Sequence, residues 1–237
     1  MRWRRLTENN HCEHRAVEMQ KMCISIVPIF NHLTTAEMSE IVKTTNSVKH
    51  PRGHTIYRAN EPSDGLYIVH KGRVKIYRLS DTGKEQLVRI LEPGDFTGEL
   101  SLFSESVHDA YAEAMEPVEL CVMGRKDFQQ FLLKYPAISL KVLTEFSTRL
   151  SKTEKQAASI ALESTETRIA MYLADVVEET KSKRITLPMS RKDLASHLGT
   201  TPETVSRKLA DFEEAGWIRQ HTPSKIEILD LDSLLLV

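Results

Sequence analysis

The chain has 237 residues, of which 41% are hydrophobic and 27% charged, with a formal net charge of −1. That length suggests one large or two ordinary domains, and the composition excludes a disordered or collagen-like chain and a strongly basic tail, though not a local basic face. No apolar run reaches the roughly 18 residues that span a bilayer, and the Arg-rich start has no apolar stretch behind it, so no membrane partner or secretory signal is expected and the cytoplasm is the predicted compartment. Residues 1–24 read as an arm in which His11, Cys12, His14 and Cys23 crowd together with little apolar periodicity. Residues 25–47 read as a short helical lead-in, with Thr34 and Glu37 forming a capping box and Met38, Ile41 and Val42 on one face.

From His50 to about Asp127 the pattern changes to short β-rich runs between turn glycines. The runs are 55–57, 66–69, 74–77 and 86–91. Strands of that length, separated by turns at 81–84 and 93–95, suggest a small all-β barrel or roll. From about Tyr135 the period becomes helical. Leu143, Phe146, Leu150, Thr153, Ala157 and Ile160 recur with spacing 3-4-3-4-3. This predicts a heptad seam on one long helix that wants a partner helix, so dimerisation is expected through Leu143, Phe146, Leu150, Ala157 and Ile160.

Residues 164–237 read as three helices followed by two strand-like pieces. Arg168–Val177 is the first helix. The second is capped by Ser190, with Asp193 three residues on. Thr201 caps the third, with Pro202 at its first position, and Gly216 ends it. The runs 217–219 and 226–228 look like a two-stranded wing. Helix, glycine turn and helix over Ser190–Ala215 is the arrangement that seats a second helix in the DNA major groove.

The start of that helix presents Thr201, Glu203, Thr204, Ser206, Arg207 and Lys208, with Arg191 on the preceding helix. Arginine can pair bidentately with guanine, glutamate can accept from cytosine, and hydroxyls suit phosphate oxygens. Charge supports this only locally. Residues 164–237 hold 10 Lys+Arg and 12 Asp+Glu, yet Lys181, Lys183, Arg184, Arg191 and Lys192 cluster without an acid among them. The competing reading is a solvated basic loop, with Glu203 and Arg207 an ordinary i,i+4 ion pair.

The ordered set of motifs is more specific than any one of them. Gly53-His54-Thr55-Ile56, Asp64-Gly65-Leu66-Tyr67-Ile68-Val69, Gly72-Arg73-Val74, the run from Gly94 to Phe103, and Leu194 to Arg207 follow one another in this sequence. Together they resemble the Crp/Fnr family of bacterial transcription regulators. The resemblance implies an α+β fold. Its parts are a Cys/His-bearing arm (1–24), a cyclic-nucleotide-binding-like β-roll sensor domain (25–136), a long dimerisation helix (137–163) and a winged helix-turn-helix DNA-binding domain (164–237). It further implies a homodimer on a pseudo-palindromic operator in double-stranded DNA, RNA polymerase as a further partner, and no enzymatic activity. No Gly-x-Ser-x-Gly, phosphate-binding glycine loop or His-Glu-x-x-His is present.

Within the family, cyclic-AMP receptors carry an Arg-Ser pair after the Gly-Glu-Leu segment. Here that stretch, 104–111, has no arginine, and His108 or Asp109 stands in its place, so cyclic AMP is not expected as a ligand. The Fnr-like branch carries N-terminal cysteines and one in the β-roll that hold a [4Fe–4S] cluster. Cys23 and Cys121 resemble parts of that set, with Cys12 a third candidate at a departing spacing. Glu203, Ser206 and Arg207 match the branch's Glu-x-x-Ser-Arg pattern, which implies a TTGA-type half-site.

Several uses of the cysteines stay open at this stage. A cluster needs four ligands and the chain offers three thiols, so the fourth would be His11, His14, a carboxylate or an exogenous thiol. A thiol–disulfide switch needs only two. His11, Cys12, His14 and Cys23 also suit zinc by type, though not by spacing. Three inert thiols complete the alternatives.

Overall fold

A computed structural model describes residues 24–63, 65–99, 103 and 106–237. Cys12, Cys23, His11 and His14 lie outside the described residues. The chain divides into two compact units. One comprises the residues before Leu79 with Val88–Thr148, and the other Leu79–Leu87 with Arg149–Val237.

In the first unit, helix α1 (Thr35–Lys43) forms as its capping box predicts. The Thr34 side chain accepts from the backbone of Glu37, and the Glu37 carboxylate accepts from the Thr34 backbone at 2.7 Å. Ten strands follow. These are β1 (Thr45–His50), β2 (Thr55–Tyr57), β3 (Pro62–Ser63), β4 (Gly65–Lys71), β5 (Val74–Leu79), β6 (Glu85–Leu91), β7 (Phe96–Thr97), β8 (Ser106–Val107), β9 (Tyr111–Ala114) and β10 (Val118–Gly124). One sheet has the order β1-β10-β4-β7 and a second the order β2-β9-β5-β6, with β3-β8 as a short pair.

Strand β1 was not predicted. Its sequence Thr-Asn-Ser-Val-Lys-His is polar because it sits at a sheet edge with one face in solvent. By contrast, β10 is buried on both faces. Val118 and Leu120 enter one core with Val69, Val74 and Ala112, while Cys121 and Met123 enter another with Ile24, Phe30, Phe128 and Phe131. Cys121 pairs in register with Ser47 on one side and Ile68 on the other.

Helix α2 (Arg125–Lys134) precedes α3 (Pro136–Leu162), and the division between the units falls inside α3. The second unit continues with α4 (Thr165–Thr180), β11 (Arg184–Thr186), α5 (Arg191–His197), α6 (Pro202–Glu214), β12 (Ile218–Gln220), β13 (Lys225–Ile228) and α7 (Leu231–Leu234). The wing sheet has three strands rather than two, in the order β11-β13-β12. The third is Arg-Ile-Thr, whose one buried residue, Ile185, lies among the basic residues read above as a loop. Its core is built on Leu173, Leu194, Val205, Leu209, Phe212, Ile218 and Ile226.

Candidate nucleic-acid interface and sensor centre

Helix α6 starts where the caps predict. Thr201 Oγ1 accepts from the Thr204 backbone at 3.3 Å, and Pro202 occupies the first turn, where no N–H is missed. Val205, Leu209 and Phe212 face inward. At a period of 3.6 residues Glu203 and Arg207 then point away from the core, with Ser206 beside them, and all three are exposed. Among the described residues no side-chain hydrogen bond or ion pair engages Glu203 or Arg207, so the i,i+4 pair is not formed. A donor fork and an acceptor stand side by side on one exposed helical face, the pairing that reads base edges.

Two predicted contact residues are placed differently. Lys208 donates to Glu166 of α4 at 2.9 Å and pairs with Asp211 at 3.2 Å, so its ammonium lies toward α4 rather than beside Arg207. Arg191 donates from Nε to the Pro223 carbonyl at 2.7 Å and from Nη2 to Gln220 Oε1 at 2.8 Å. Its guanidinium ties α5 to the wing. Sequence reasoning missed both ties because each joins elements distant in the chain.

The predicted seam of α3 is exposed along part of its length. Leu143 and Leu150 stand 61% and 60% exposed, as a helix awaiting a partner requires, and Ala157 is exposed with them. Phe146 is partly buried against the core of its own unit and meets Phe103 edge-on at 5.8 Å. Ile160, in the second unit, lies against Gly199 of the helix-turn-helix while remaining 38% exposed. Leu140, 68% exposed and absent from the predicted seam, extends the outward stripe.

The β-roll encloses a cavity of about 170 Å³ whose walls include Tyr57, Ile76, Arg78, Arg89, Glu99 and His108. Arg89 Nη2 donates to Glu99 Oε1 at 3.0 Å, and Arg78 donates to Asp109 at the more exposed end. His108 is buried and stacks on the Tyr57 ring at 3.7 Å with the planes 5° apart. Burial pushes the Tyr57 phenol well above its usual range, so it stays protonated and shares a 2.7 Å hydrogen bond with Thr97. Gly98 closes the wall at φ +86°, where a Cβ would meet the Gly65 carbonyl at 2.2 Å.

The stretch after Glu99 thus supplies His108 and Asp109, while two arginines arrive from β5 and β6. The alternation Leu87-x-Arg89-x-Leu91 was the signal that could have found Arg89, because it puts that residue on the buried side of its strand.

Cys121 is 2% exposed and disulfide-bonded. Its core also contains Ile138 and Val142 from the first turns of α3, and Ile24, which directly follows Cys23 in the chain. Among the described residues no group of three or more His, Cys, Asp and Glu side chains is arranged to hold a metal ion. No helix of the described residues is long and apolar enough to cross a membrane.

Comparison with known proteins agrees with this architecture. Residues 47–135 match the cyclic nucleotide-binding domain and residues 167–236 the Crp-like helix-turn-helix domain. The chain is 34% identical to the "Probable transcriptional regulator flp" of Lacticaseibacillus casei, over 91% of this chain and 98% of that one. It is 32% identical to a CRP-like cAMP-activated global transcriptional regulator of Mycobacterium tuberculosis, over 81% and 88% of the two chains. The fold resembles the structure of FixK2 from Bradyrhizobium japonicum, with a TM-score of 0.70 at 24% identity over 80% of this chain and 95% of that one. With a cyclic-nucleotide-binding β-roll, a helix-turn-helix with a wing and relatives of this kind along nearly its whole length, the chain belongs to the Crp/Fnr family of DNA-binding transcription regulators.

Proposed function

We propose that this regulator binds a TTGA-type palindromic operator as a homodimer, acts with RNA polymerase as its further partner, and responds to redox state through a thiol–disulfide switch at Cys121. The observation that carries the reading is the disulfide-bonded Cys121 in a core shared with Ile138 and Val142 of α3. Making or breaking that bond changes packing at the foot of the helix whose Leu140, Leu143 and Leu150 suit a second copy. Cys12 and Cys23 are the sulfurs available as partner. Two thiols yield one disulfide, two protons and two electrons, the electrons passing to a peroxide or a low-molecular-weight disulfide. A [4Fe–4S] cluster fits these residues less well, since it needs four ligands and a Cys121 thiolate that the disulfide removes.

The test is thiol counting and operator binding on one sample, reduced and then treated with peroxide. Two thiols should disappear and operator affinity should change at least about fivefold, within the usual range of coupling between sites. Cys121→Ser should abolish the change. A Cys121→Ser protein that still responds would overturn the switch, as would anaerobically purified protein carrying iron and acid-labile sulfide. Sedimentation of Leu143→Glu/Leu150→Glu should yield monomer, and a dimer unaffected by both changes would remove α3 as the seam.

A cyclic-nucleotide-responsive regulator is the second reading, favoured by Arg78, Arg89 and Glu99 around one cavity. Each arginine meets a carboxylate through one nitrogen, and the donors left over, among them Arg89 Nε, could take a ligand phosphate. Titration with cyclic AMP decides it. A rise in operator affinity supports this reading, and no response leaves the redox switch.

A further inference from the structure

We infer that Gln220 is a positioning residue for DNA binding. It fixes the wing turn beside the recognition helix through Glu213 and Arg191. The inference rests on the reading of α6 as the helix that enters the major groove.

Gln220 ends β12, and its polar groups connect three elements. Its side-chain Nε2 donates to Glu213 Oε2 at 2.9 Å and to the Leu209 carbonyl at 3.3 Å, both on α6. Its backbone N–H donates to the other Glu213 oxygen at 2.7 Å. Its Oε1 accepts from Arg191 on α5, whose Nε holds the Pro223 carbonyl at the tip of the wing turn. One amide, one carboxylate and one guanidinium therefore lock both helices of the motif to the turn between β12 and β13.

The chemistry is specific to an amide at position 220. A carboxylate there could accept from Arg191 but would face Glu213 across a hydrogen-bond distance, and an apolar side chain could do neither. Backbone and side-chain hydrogen bonds from Gln220 hold the Glu213 carboxyl below its ordinary pKa. Beside this lock lies an open groove whose rim includes Arg191, Ser206 of α6, and His221 and Thr222 of the turn. Wing and recognition helix thus form the two sides of one channel, of the kind a DNA backbone follows. Moving the turn shifts His221 and Thr222 relative to Ser206 without touching Glu203 or Arg207.

The experiment measures binding to a TTGA-type palindromic duplex and to a scrambled duplex over a range of salt concentrations. The variants are Gln220→Met, Gln220→Glu and the exchange pair Gln220→Glu/Glu213→Gln. Gln220→Met and Gln220→Glu should each weaken binding to both duplexes roughly tenfold. The slope of log affinity against log salt should fall by about one phosphate contact. The exchange pair again places one amide opposite one carboxylate and should recover most of the affinity and the slope. A thermal scan of each variant separates loss of fold from loss of placement.

An unchanged slope in folded Gln220→Met would overturn the inference. So would an exchange pair no better than Gln220→Glu, which remains decisive if Gln220→Met does not fold. Wild-type protein without preference for the palindrome would overturn the operator instead, and the slope on the scrambled duplex would still score Gln220.

Discussion

In the β-roll cavity each cation meets one carboxylate, Arg89 with Glu99 and Arg78 with Asp109. In the winged unit the polar groups are chained, Arg191 to Gln220 to Glu213, with carbonyls of Leu209 and Pro223 drawn in. The two arrangements suit different tasks. A pair can be opened by a ligand that replaces one partner. A chain anchored on three elements transmits a disturbance at any link to the others. The cavity pairs can therefore be broken one at a time, whereas the wing is held at every link.

Four changes would break or sharpen that contrast. The largest effect belongs to the apolar cores that carry both networks. Phe212→Ala or Phe128→Ala removes a side chain fully buried in its unit and should cost about 3–5 kcal/mol in urea unfolding. Phe212→Ala should also abolish operator binding.

Arg89→Gln comes next. It leaves Glu99 buried beside a neutral group and should cost up to about 3 kcal/mol, less than a fully desolvated pair because Arg89 is partly solvated. Arg89→Gln/Glu99→Gln should recover most of this, as befits a pair. A double variant as unstable as the single one would mean that the cavity is also a chain.

Arg207→Ala should then weaken operator binding by about 1–3 kcal/mol, roughly 5- to 150-fold, with no shift in melting temperature, because no side-chain partner among the described residues is lost. A lowered melting temperature would show that the exposed face is structural.

The smallest effect is that of pH on His197, which sits in α5 against Tyr172 at 5.9 Å. Burial lowers its pKa from the ordinary 6.5. The unfolded chain therefore takes up the proton first as pH falls. The stability from the neutral ring is complete above about 6.5 and declines as pH drops through the folded-state value. Melting at about pH 5.5 should come earlier than at about pH 7.5, and His197→Gln should shrink that difference.

The helix-turn-helix was legible in the sequence because its signals are local. Ser190 with Asp193, Thr201 with Pro202 and the glycines at 199 and 216 act within four residues of where they stand, and each is seen in its role. The helix lead-in at Thr34 was legible for the same reason. Strand β11 was not, because three residues with one apolar member carry too little pattern to stand out from a basic run. The seam of α3 was half legible. Periodicity shows that a stripe exists, but that Phe146 and Ile160 also touch their own units is something only the fold supplies. Gln220 left no trace in the sequence, since a lone glutamine acquires meaning only when α5, α6 and β12 converge. Arg89 stands in plain alternation between Leu87 and Leu91, but an arginine on a half-buried strand acquires meaning only when Glu99 meets it.

The burial of Cys121 sets a time scale as well as a chemistry. A sulfur only 2% exposed is beyond the reach of an attacking thiolate until its core opens. Attack at that sulfur then waits on opening of the β-roll core. Under the proposed switch, such a protein would keep a memory of an oxidising episode. Cells would then differ in gene expression according to their recent past, and not only their present state.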